Sequence, residues 1–409
     1  MKTNIPERIA ALREAMKQHK IDAYIIPTSD PHMSEYPADC WKYREWISGF
    51  TGSAGTVIIT ADKAGLWTDS RYFLQASTQL EGTGIELFKM MLPETPTIPE
   101  FLAHELEKGQ TVGLNGETYS LAEARTLEKA LAEKEIKLNT NASLIDPIWK
   151  ERPAIPEAPM FEMPVELSGK SVEDKLLDIN KMLHKAGADC TILSALDEVA
   201  WTFNIRGTDV AYNPVVISYA FVSEKESVLF VNPKKIPAEI AEHLKKEGVT
   251  LADYGMLATF LSRLPERTRV FIDSKRTNVA IYNALPESSI LIEGISPANH
   301  LKSIKNETEI KGFRNAVLKD GIAMTKFYFW LEKRLKAGEK VTELSAAAKL
   351  TALRAEQPQY VMDSFASISS YGPHGAVVHY SPTPETDTEL KMDSLYPVSY
   401  THLRAHETK

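Results

Sequence analysis

The chain has 409 residues, 43% of them apolar, and carries 47 lysines and arginines against 55 aspartates and glutamates, for a net charge of −8. This length predicts two or three domains, and an acidic balance without a long basic run excludes a nucleic-acid-binding footprint. The N-terminus lacks an apolar signal core, and no apolar run approaches the ~20 residues needed to span a bilayer. We therefore expect a cytoplasmic protein with no membrane partner, whose cysteines, Cys40 and Cys190, imply no disulfide framework.

The pattern at residues 1–158 predicts an α/β domain. An apolar stripe indicates the first helix, with Asn4 and Glu7 as a capping box. Strands and helices then alternate, which is typical of this fold class. The stripe consists of Ile5, Ile9, Leu12 and Met16. Strands are predicted at 23–26, 56–60, 65–69, 86–90 and 111–114, and helices at 41–47, 70–80, 98–107 and 121–134.

A connector with five prolines between positions 147 and 164 follows, and its composition favours a semi-rigid extended segment. Residues 159–300 then repeat the first domain. Val172, Leu176, Ile179, Leu183 and Asp189 match Ile5, Ile9, Leu12, Met16 and Asp22 at a constant offset of 167. Trp46 and Gly52 likewise have counterparts in Trp201 and Gly207. We interpret the repeat as a duplication and predict a second α/β domain of the same fold, with strands at 214–220 and 227–231.

Residues 301–396 form a third region that opens on a strong helix start. Asn306 and Glu309 predict a capping box, and a second helix is predicted at 343–354. The long helix should run to about Lys336 with one apolar face. That face comprises Ile310, Phe313, Val317, Met324, Tyr328, Leu331 and Leu335.

The stretch from Phe365 to Pro384 has more features of a functional site than any other. Alternation predicts a strand at 365–370, a break at 371–373 and extended structure at 375–380. His379 follows two valines where the chain must leave the sheet. Its ring either points into a cleft or caps a sheet edge through a backbone carbonyl.

Arg71 is a second candidate. It follows W-T-D-S at the start of a predicted helix, where a cation opposes the helix dipole. Local stability therefore explains it poorly, and two interpretations remain: a substrate-facing role, or simple pairing with Asp69.

Two further patterns give weaker evidence of a functional site. Gly49, Gly52 and Gly55 fit neither the dinucleotide fingerprint nor a phosphate-binding Walker loop, so a tight helix-to-strand turn explains them. His402 and His406 are four apart but lack the glutamate of the zinc-protease motif. We interpret residues 397–409 as an unstructured, non-native tail.

Four motifs resemble those of one family. They are W-T-D-S-R-Y-F-L-Q-A from 67, A-L-D-E-V-A-W-T-F-N-I-R-G-T-D-V-A-Y-N-P-V from 195, S-I-K-N-E-T-E-I-K-G-F-R-N-A from 303 and S-I-S-S-Y-G-P-H-G-A-V-V-H-Y from 367. In this order they are similar to the long, three-domain Xaa-Pro aminopeptidases, also called aminopeptidase P. The resemblance implies two duplicated creatinase-type N-terminal α/β domains followed by a pita-bread catalytic domain.

The resemblance also implies an activity, the removal of an N-terminal residue from peptides with proline at the second position. Two divalent ions, usually Mn²⁺, hold the attacking water in that family, and its members are commonly homodimers. By motif match, His379 is the substrate-contacting, catalytic histidine. Arg71 reaches the peptide, from a neighbouring subunit. His374 receives no role.

The family's metal ligands are not matched. They are two aspartates, a histidine and two glutamates, and the first aspartate follows the Leu-Tyr pair that here is Leu395-Tyr396. The chain continues P-V-S-Y-T-H-L-R-A-H-E-T-K, with Glu407 as its one acidic residue. We assign no metal ligand, and expect an incomplete pita-bread domain that binds no metal pair and hydrolyses nothing in these 409 residues.

Two alternatives remain open. One is a metal-free hydrolase of the creatinase type, in which a histidine transfers the proton. The other is a non-catalytic pita-bread binding protein that kept the fold and lost the ligands.

Overall fold

The first domain is a six-stranded sheet covered by helices, in a computed structural model that describes residues 4–396 and the backbone of 398–399. Its strand order is β4-β3-β2-β1-β5-β6, with antiparallel β1–β2 and β2–β3 pairs and parallel pairs elsewhere. The predicted α/β fold is confirmed. The elements are α1 (Ile5–Gln18), β1 (Ala23–Pro27), α2 (Tyr43–Ser48), β2 (Thr56–Thr60), β3 (Ala64–Thr68), α3 (Phe73–Gln79), β4 (Glu86–Lys89), α4 (Ile98–Glu105), β5 (Thr111–Leu114), α5 (Leu121–Ala132) and β6 (Lys137–Asn139).

The second domain has a sheet of the same size, in the order β12-β11-β10-β8-β13-β14, and a separate two-stranded β7–β9 pair. Its elements are β7 (Phe161–Glu162), α6 (Val165–Ser168), α7 (Val172–Ala186), β8 (Cys190–Leu193), α8 (Leu196–Thr202), β9 (Ile205–Arg206), β10 (Ser218–Ser223), β11 (Ser227–Val231), α9 (Ala238–Lys246), β12 (Val249–Ala252), α10 (Leu257–Leu261), β13 (Arg269–Ile272), α11 (Val279–Asn283), β14 (Ile290–Glu293) and α12 (Pro297–Ser303).

The two large sheets confirm the duplication. Each strand of one sheet has a counterpart in the same place and orientation in the other, so that antiparallel β8–β10 and β10–β11 repeat β1–β2 and β2–β3. The helices before them, α1 and α7, bury the apolar stripes that the offset of 167 relates. Helix α7 buries one residue more, Lys175.

Three local predictions were wrong. Asn4 has a near-helical backbone and makes no side-chain capping bond, so it completes no capping box. Helix α3 starts only at Phe73, because Asp69 caps a 3₁₀ turn at Ser70–Tyr72 instead. The strand predicted at 214–220 begins at Ser218, since the backbone N–H of Ile217 is held by a side chain, Asp209.

The first two domains are joined through a loop around His32, which is buried against the second domain. Its Nδ1 lies 2.8 Å from the carbonyl oxygen of Ser194, and its Nε2 lies 2.9 Å from the hydroxyl of Tyr254. A carbonyl only accepts, so Nδ1 donates and Nε2 accepts. Such a ring is neutral, and burial lowers its pKa to about 3.

This neutral histidine predicts acid sensitivity. The unfolded chain binds a proton at His32 below pH 6.5 and the folded chain does not, so stability is full above pH 6.5 and falls as the pH is lowered towards 3. From pH 7 to 5 we expect the wild type to lose roughly 2 kcal/mol more than His32→Gln in urea unfolding. The pKa of buried Asp30 is raised to about 6, so its protonation stabilises the fold as the pH falls, in the opposite sense to His32. This contribution is the same in the wild type and in His32→Gln. Parallel pH profiles of the two proteins would contradict the assignment.

The third region packs two helices against each other. Asn306 and Glu309 form the predicted capping box of α13 (Glu307–Lys336), and α14 (Glu343–Ala355) follows. Short strands β15 (Ile368–Ser369) and β16 (Val398–Ser399) pair beyond them. In the described part of the chain, no helix is long and apolar enough to cross a membrane.

The apolar face of α13 was only partly predicted. Leu331 is buried as expected, but Val317 and Tyr328 are exposed. The core instead uses Ala323 and Phe327, because α14 packs on that side of the helix.

Candidate functional site

The stretch from Phe365 to Pro384 does not form the predicted strands. Only Ile368–Ser369 forms a strand, and Gly372–Ala376 is a 3₁₀ helix with Pro373 in its first turn and Gly372 at φ +57°. His379 lies in the turn that follows and is exposed. Neither a strand end nor a sheet edge therefore positions this histidine.

A buried carboxylate holds the stretch instead. Glu343, the first residue of α14, is 0% exposed. It accepts hydrogen bonds from the backbone N–H of Tyr371 at 2.5 Å and the hydroxyl of Tyr380 at 2.9 Å, and Nδ1 of His374 lies 2.9 Å away. The backbone N–H of Thr388 donates at 3.3 Å. A buried carboxylate needs such donors, so Glu343 fixes both ends of the segment 371–380 that carries His379.

Arg71 pairs with Asp69, as one of its two interpretations anticipated. Its Nε and Nη2 lie 2.8 and 2.7 Å from the two carboxylate oxygens, a bidentate geometry. Hydrogen bonds from Arg71 are the main reason that the pKa of Asp69 lies below its usual value, and His379 lowers it further. The Arg71 side chain remains 47% exposed, so pairing leaves it accessible to a ligand.

Tyr72 brings the two candidate residues together within one chain. The His379 ring stacks on the Tyr72 ring, with centroids 5.5 Å apart and planes 17° apart. The guanidinium carbon of Arg71 lies 5.2 Å from the centroid of the same ring. Tyr72 is itself buried and its hydroxyl lies 2.6 Å from Oγ of Ser53. The guanidinium of Arg71 and the imidazole of His379 thus lie against the same buried aromatic ring, at one surface.

The glycines of the first domain serve this arrangement. Gly49 ends α2 at φ +72°, as the turn interpretation expects. A Cβ atom on Gly52 would lie 2.7 Å from Cδ1 of Tyr72 and 2.2 Å from Cζ of Phe50. Glycine at position 52 therefore lets the turn approach Tyr72 closely.

The described residues do not fit a two-metal centre. Between residues 4 and 396 no group of three or more histidine, cysteine, aspartate or glutamate side chains is placed to hold a metal ion. His402 and His406 lie outside the described residues.

Sequence reasoning missed two of these residues. Tyr72 was not identified as a candidate, although its place in a W-T-D-S-R-Y motif was a usable signal. Glu343 gave no local signal, because its partners lie 28 to 45 positions away.

Family models match almost the whole chain in three consecutive parts. The Creatinase/Prolidase N-terminal domain is matched twice, by residues 8–146 and 151–309. Metallopeptidase family M24 is matched by residues 311–401. The two matches to related N-terminal domain models agree with the duplicated sheets.

Individual relatives agree with these matches. The chain is 39% identical over 404 residues to the probable Xaa-Pro aminopeptidase P of Botryotinia fuckeliana, covering 96% of this chain and 62% of the relative. It is 38% identical to that of Pyricularia oryzae, covering 97% and 67%. The X-prolyl aminopeptidase of Caenorhabditis elegans, a cytosolic enzyme with a di-nuclear active site, has a similar structure, with a TM-score of 0.91 at 30% identity over 96% of this chain and 67% of that one. The chain thus spans about two thirds of the length of these relatives.

Proposed function

We propose, because the chain belongs to the aminopeptidase P family of Xaa-Pro aminopeptidases, that its substrates are peptides with proline at the second position. The reaction is hydrolysis of the bond before that proline. One observation supports the assignment of this function to particular residues: Tyr72 contacts both Arg71 and His379. We also propose a cytoplasmic location, by analogy with the cytosolic relative, and a homodimer, which light scattering of the purified protein would test.

Arg71 and His379 are proposed to contact the peptide. A guanidinium offers a planar set of donors to carbonyl and carboxylate oxygens, and Asp69 fixes its orientation. An imidazole donates or accepts a hydrogen bond at neutral pH. Both groups stand on the buried ring of Tyr72, so neither needs to be ordered when the peptide binds.

Peptide binding tests these roles without any chemical step. Arg71→Gln should weaken binding of a labelled Ala-Pro-containing peptide to the 409-residue chain about tenfold, because a hydrogen bond from a charged group is lost. Fluorescence anisotropy would measure the dissociation constant. His379→Ala should weaken binding similarly.

Arg125→Gln is a matched control for Arg71→Gln. Arg125 also pairs with a carboxylate, Glu293, at 2.5 Å, is 41% exposed and lies 5.5 Å from an aromatic centroid, that of Tyr282. It is not part of the candidate site, so its loss should leave the dissociation constant unchanged. Equal effects of the two substitutions would refute a role for Arg71 in peptide binding.

We propose further that the hydrolysis uses a dinuclear centre, with Mn²⁺ as the metal, and that these 409 residues do not hold it alone. The proposal is supported by the di-nuclear site of the relative and by the single acidic residue, Glu407, after position 396. Calorimetric titration of the metal-free chain with Mn²⁺ should show no tight, stoichiometric uptake, and the chain should not cleave the peptide. Uptake of two ions per chain would overturn this part and leave the substrate proposal intact.

A further inference from the structure

A cavity lies away from the Tyr72 surface, where the second domain meets α13. It encloses about 350 Å³, within the range of ~300–1,000 Å³ typical of small-molecule sites. Helices α7 and α8 and the chain at 204–206 form one wall, and the chain from Lys302 into the first turns of α13 forms the other. Trp201 and Phe313 are the aromatic residues of its lining.

The charged lining of this cavity is mostly cationic, in a chain whose net charge is −8. Both of its carboxylates already have partners. Asp197 binds Nζ of Lys302 at 2.6 Å, and Glu309 accepts from the indole N–H of Trp201 at 3.1 Å while completing the cap of α13. The cations in the lining are Lys175, Arg206, Lys302 and Lys305.

Lys175 is the buried centre of this set, 1% exposed. Its Nζ donates to the carbonyl oxygen of Trp201 at 2.7 Å and to Oδ1 of Asn204 at 2.6 Å, and lies 4.5 Å from the Trp201 ring centroid. Among the described residues, no carboxylate lies within ion-pair distance of Nζ. Its direct contacts are therefore neutral dipoles and a ring face, an arrangement that a bound anion would improve.

The surroundings of Lys175 also favour an added negative charge. Burial lowers its pKa to about 7, and the nearby cations Arg206 and Lys170 lower it further, while Glu309 opposes them. The equivalent residue of α1, at the offset of 167, is Arg8, whose guanidinium donates to the carbonyl oxygen of Trp46 and lies 4.9 Å from the Trp46 ring centroid. Both copies therefore place a cation against this tryptophan, but only in the second copy is that cation buried.

We propose that this cavity binds a small molecule with a carboxylate or phosphate group on a flat apolar body. The oxyanion would lie against Lys175 and Arg206, and the body against Trp201 and Phe313. This inference does not depend on peptide hydrolysis, because no lining residue of the cavity belongs to the Tyr72 surface.

Calorimetry with the 409-residue chain tests the proposal, with phenyl phosphate and benzoate as probes and benzyl alcohol as their uncharged analogue. We expect at least one anion to bind with a dissociation constant below about 1 mM and the alcohol not to bind. The stronger of the two anions identifies the oxyanion. Binding of neither anion, or equal binding of the alcohol, would overturn the proposal.

Substitutions locate the binding in this cavity. Lys175→Met should weaken the anion about tenfold, and Lys181→Met, on the exposed side of the same helix, should not change it. Arg206→Gln provides a second variant if Lys175→Met fails to fold. Equal effects of Lys175→Met and Lys181→Met, or no effect of Arg206→Gln, would place the anion elsewhere and refute the inference.

The pH dependence gives a readout that a purely structural lysine would not. An anion stabilises the protonated form of Lys175, so affinity should be highest below pH 7 and fall as the pH rises to 8.5. Binding at pH 7.5 should take up protons from the buffer, and Lys175→Met should abolish that uptake. An affinity independent of pH in the wild type would contradict the role of Lys175.

Discussion

The Asp209→Asn variant is expected to lose about 3–5 kcal/mol of the free energy of unfolding of the second domain. The side chains of Asp209 and Lys235 form an ion pair and are 0% and 1% exposed. The Asp209 carboxylate also accepts from the backbone N–H of Ile217 at 2.6 Å. Asparagine keeps an acceptor for Ile217 but leaves the ammonium of Lys235 buried without a countercharge. Burial lowers the pKa of this lysine, so the unpaired ammonium can lose its proton. This deprotonation limits the loss of unfolding free energy to about 3–5 kcal/mol.

The amides of β10 and β11, which flank the pair, report this change through hydrogen exchange. Their opening free energy should fall by the stated amount in Asp209→Asn. Glu157→Gln is the control, because Glu157 pairs with Lys234, next to Lys235, at 2.9 Å on the exposed surface. Exposed pairs contribute about 0–1 kcal/mol.

The double variant Asp209→Asn/Lys235→Met separates charge from packing. It removes both charges, and replacing a whole buried pair is often nearly neutral. We expect it to recover most of the loss seen in Asp209→Asn alone. If the double variant is as unstable as the single one, packing and not the unpaired ammonium explains the loss.

The two domains show what periodicity can and cannot predict. The stripes on α1 and α7 follow from the spacing of apolar residues, because this spacing decides which face of a helix is buried. The chemistry of equivalent positions does not follow. Tyr72 and Lys235 each end a 3₁₀ turn, four residues after the corresponding strand.

These two positions have diverged in function although their backbone is alike. Tyr72 hydrogen-bonds to Ser53 and presents its ring to His379, whereas Lys235 is paired with Asp209 inside the second domain. The partners are distant in sequence, and a motif search identifies neither pair. Family resemblance identified Arg71 and His379, but only the tertiary structure shows that one ring connects them.

The conformation of residues 365–384 was not predictable from alternation for a related reason. Extended structure needs a neighbouring strand to satisfy its backbone, and only Ile368–Ser369 has one. Elsewhere in the segment, hydrogen-bond donors are satisfied by a side chain: the N–H of Tyr371 and the hydroxyl of Tyr380 both donate to Glu343. Local pattern contains no information about this carboxylate.

Glu343→Ala should therefore release the segment that carries His379. The substitution leaves the N–H of Tyr371 and the hydroxyl of Tyr380 without their buried acceptor, and each such loss costs about 1–3 kcal/mol. We expect the opening free energy of residues 371–380 to fall by about 3 kcal/mol. Hydrogen exchange at these amides should accelerate about 100-fold, since 1.36 kcal/mol corresponds to a factor of ten.

Glu356→Ala is the matched control on the same helix. Glu356 lies at the other end of α14 and pairs with Lys326 at 2.9 Å, but its side chain is 51% exposed. Its loss should change exchange at 371–380 by less than about fivefold, because an exposed pair contributes 1 kcal/mol at most. Equal acceleration in the two variants would mean that Glu343 does not hold the segment.

Glu343→Gln distinguishes the charge of the carboxylate from its shape. Glutamine has one acceptor oxygen, which can serve Tyr371 or Tyr380, but its other terminal atom is a nitrogen that only donates. The rate of hydrogen exchange should therefore lie between those of the wild type and Glu343→Ala. The same series should affect peptide binding in the same order, because His379 keeps its place on Tyr72 only while the segment is held. If Glu343→Ala frees the segment but leaves the peptide's dissociation constant unchanged, His379 does not contact the peptide.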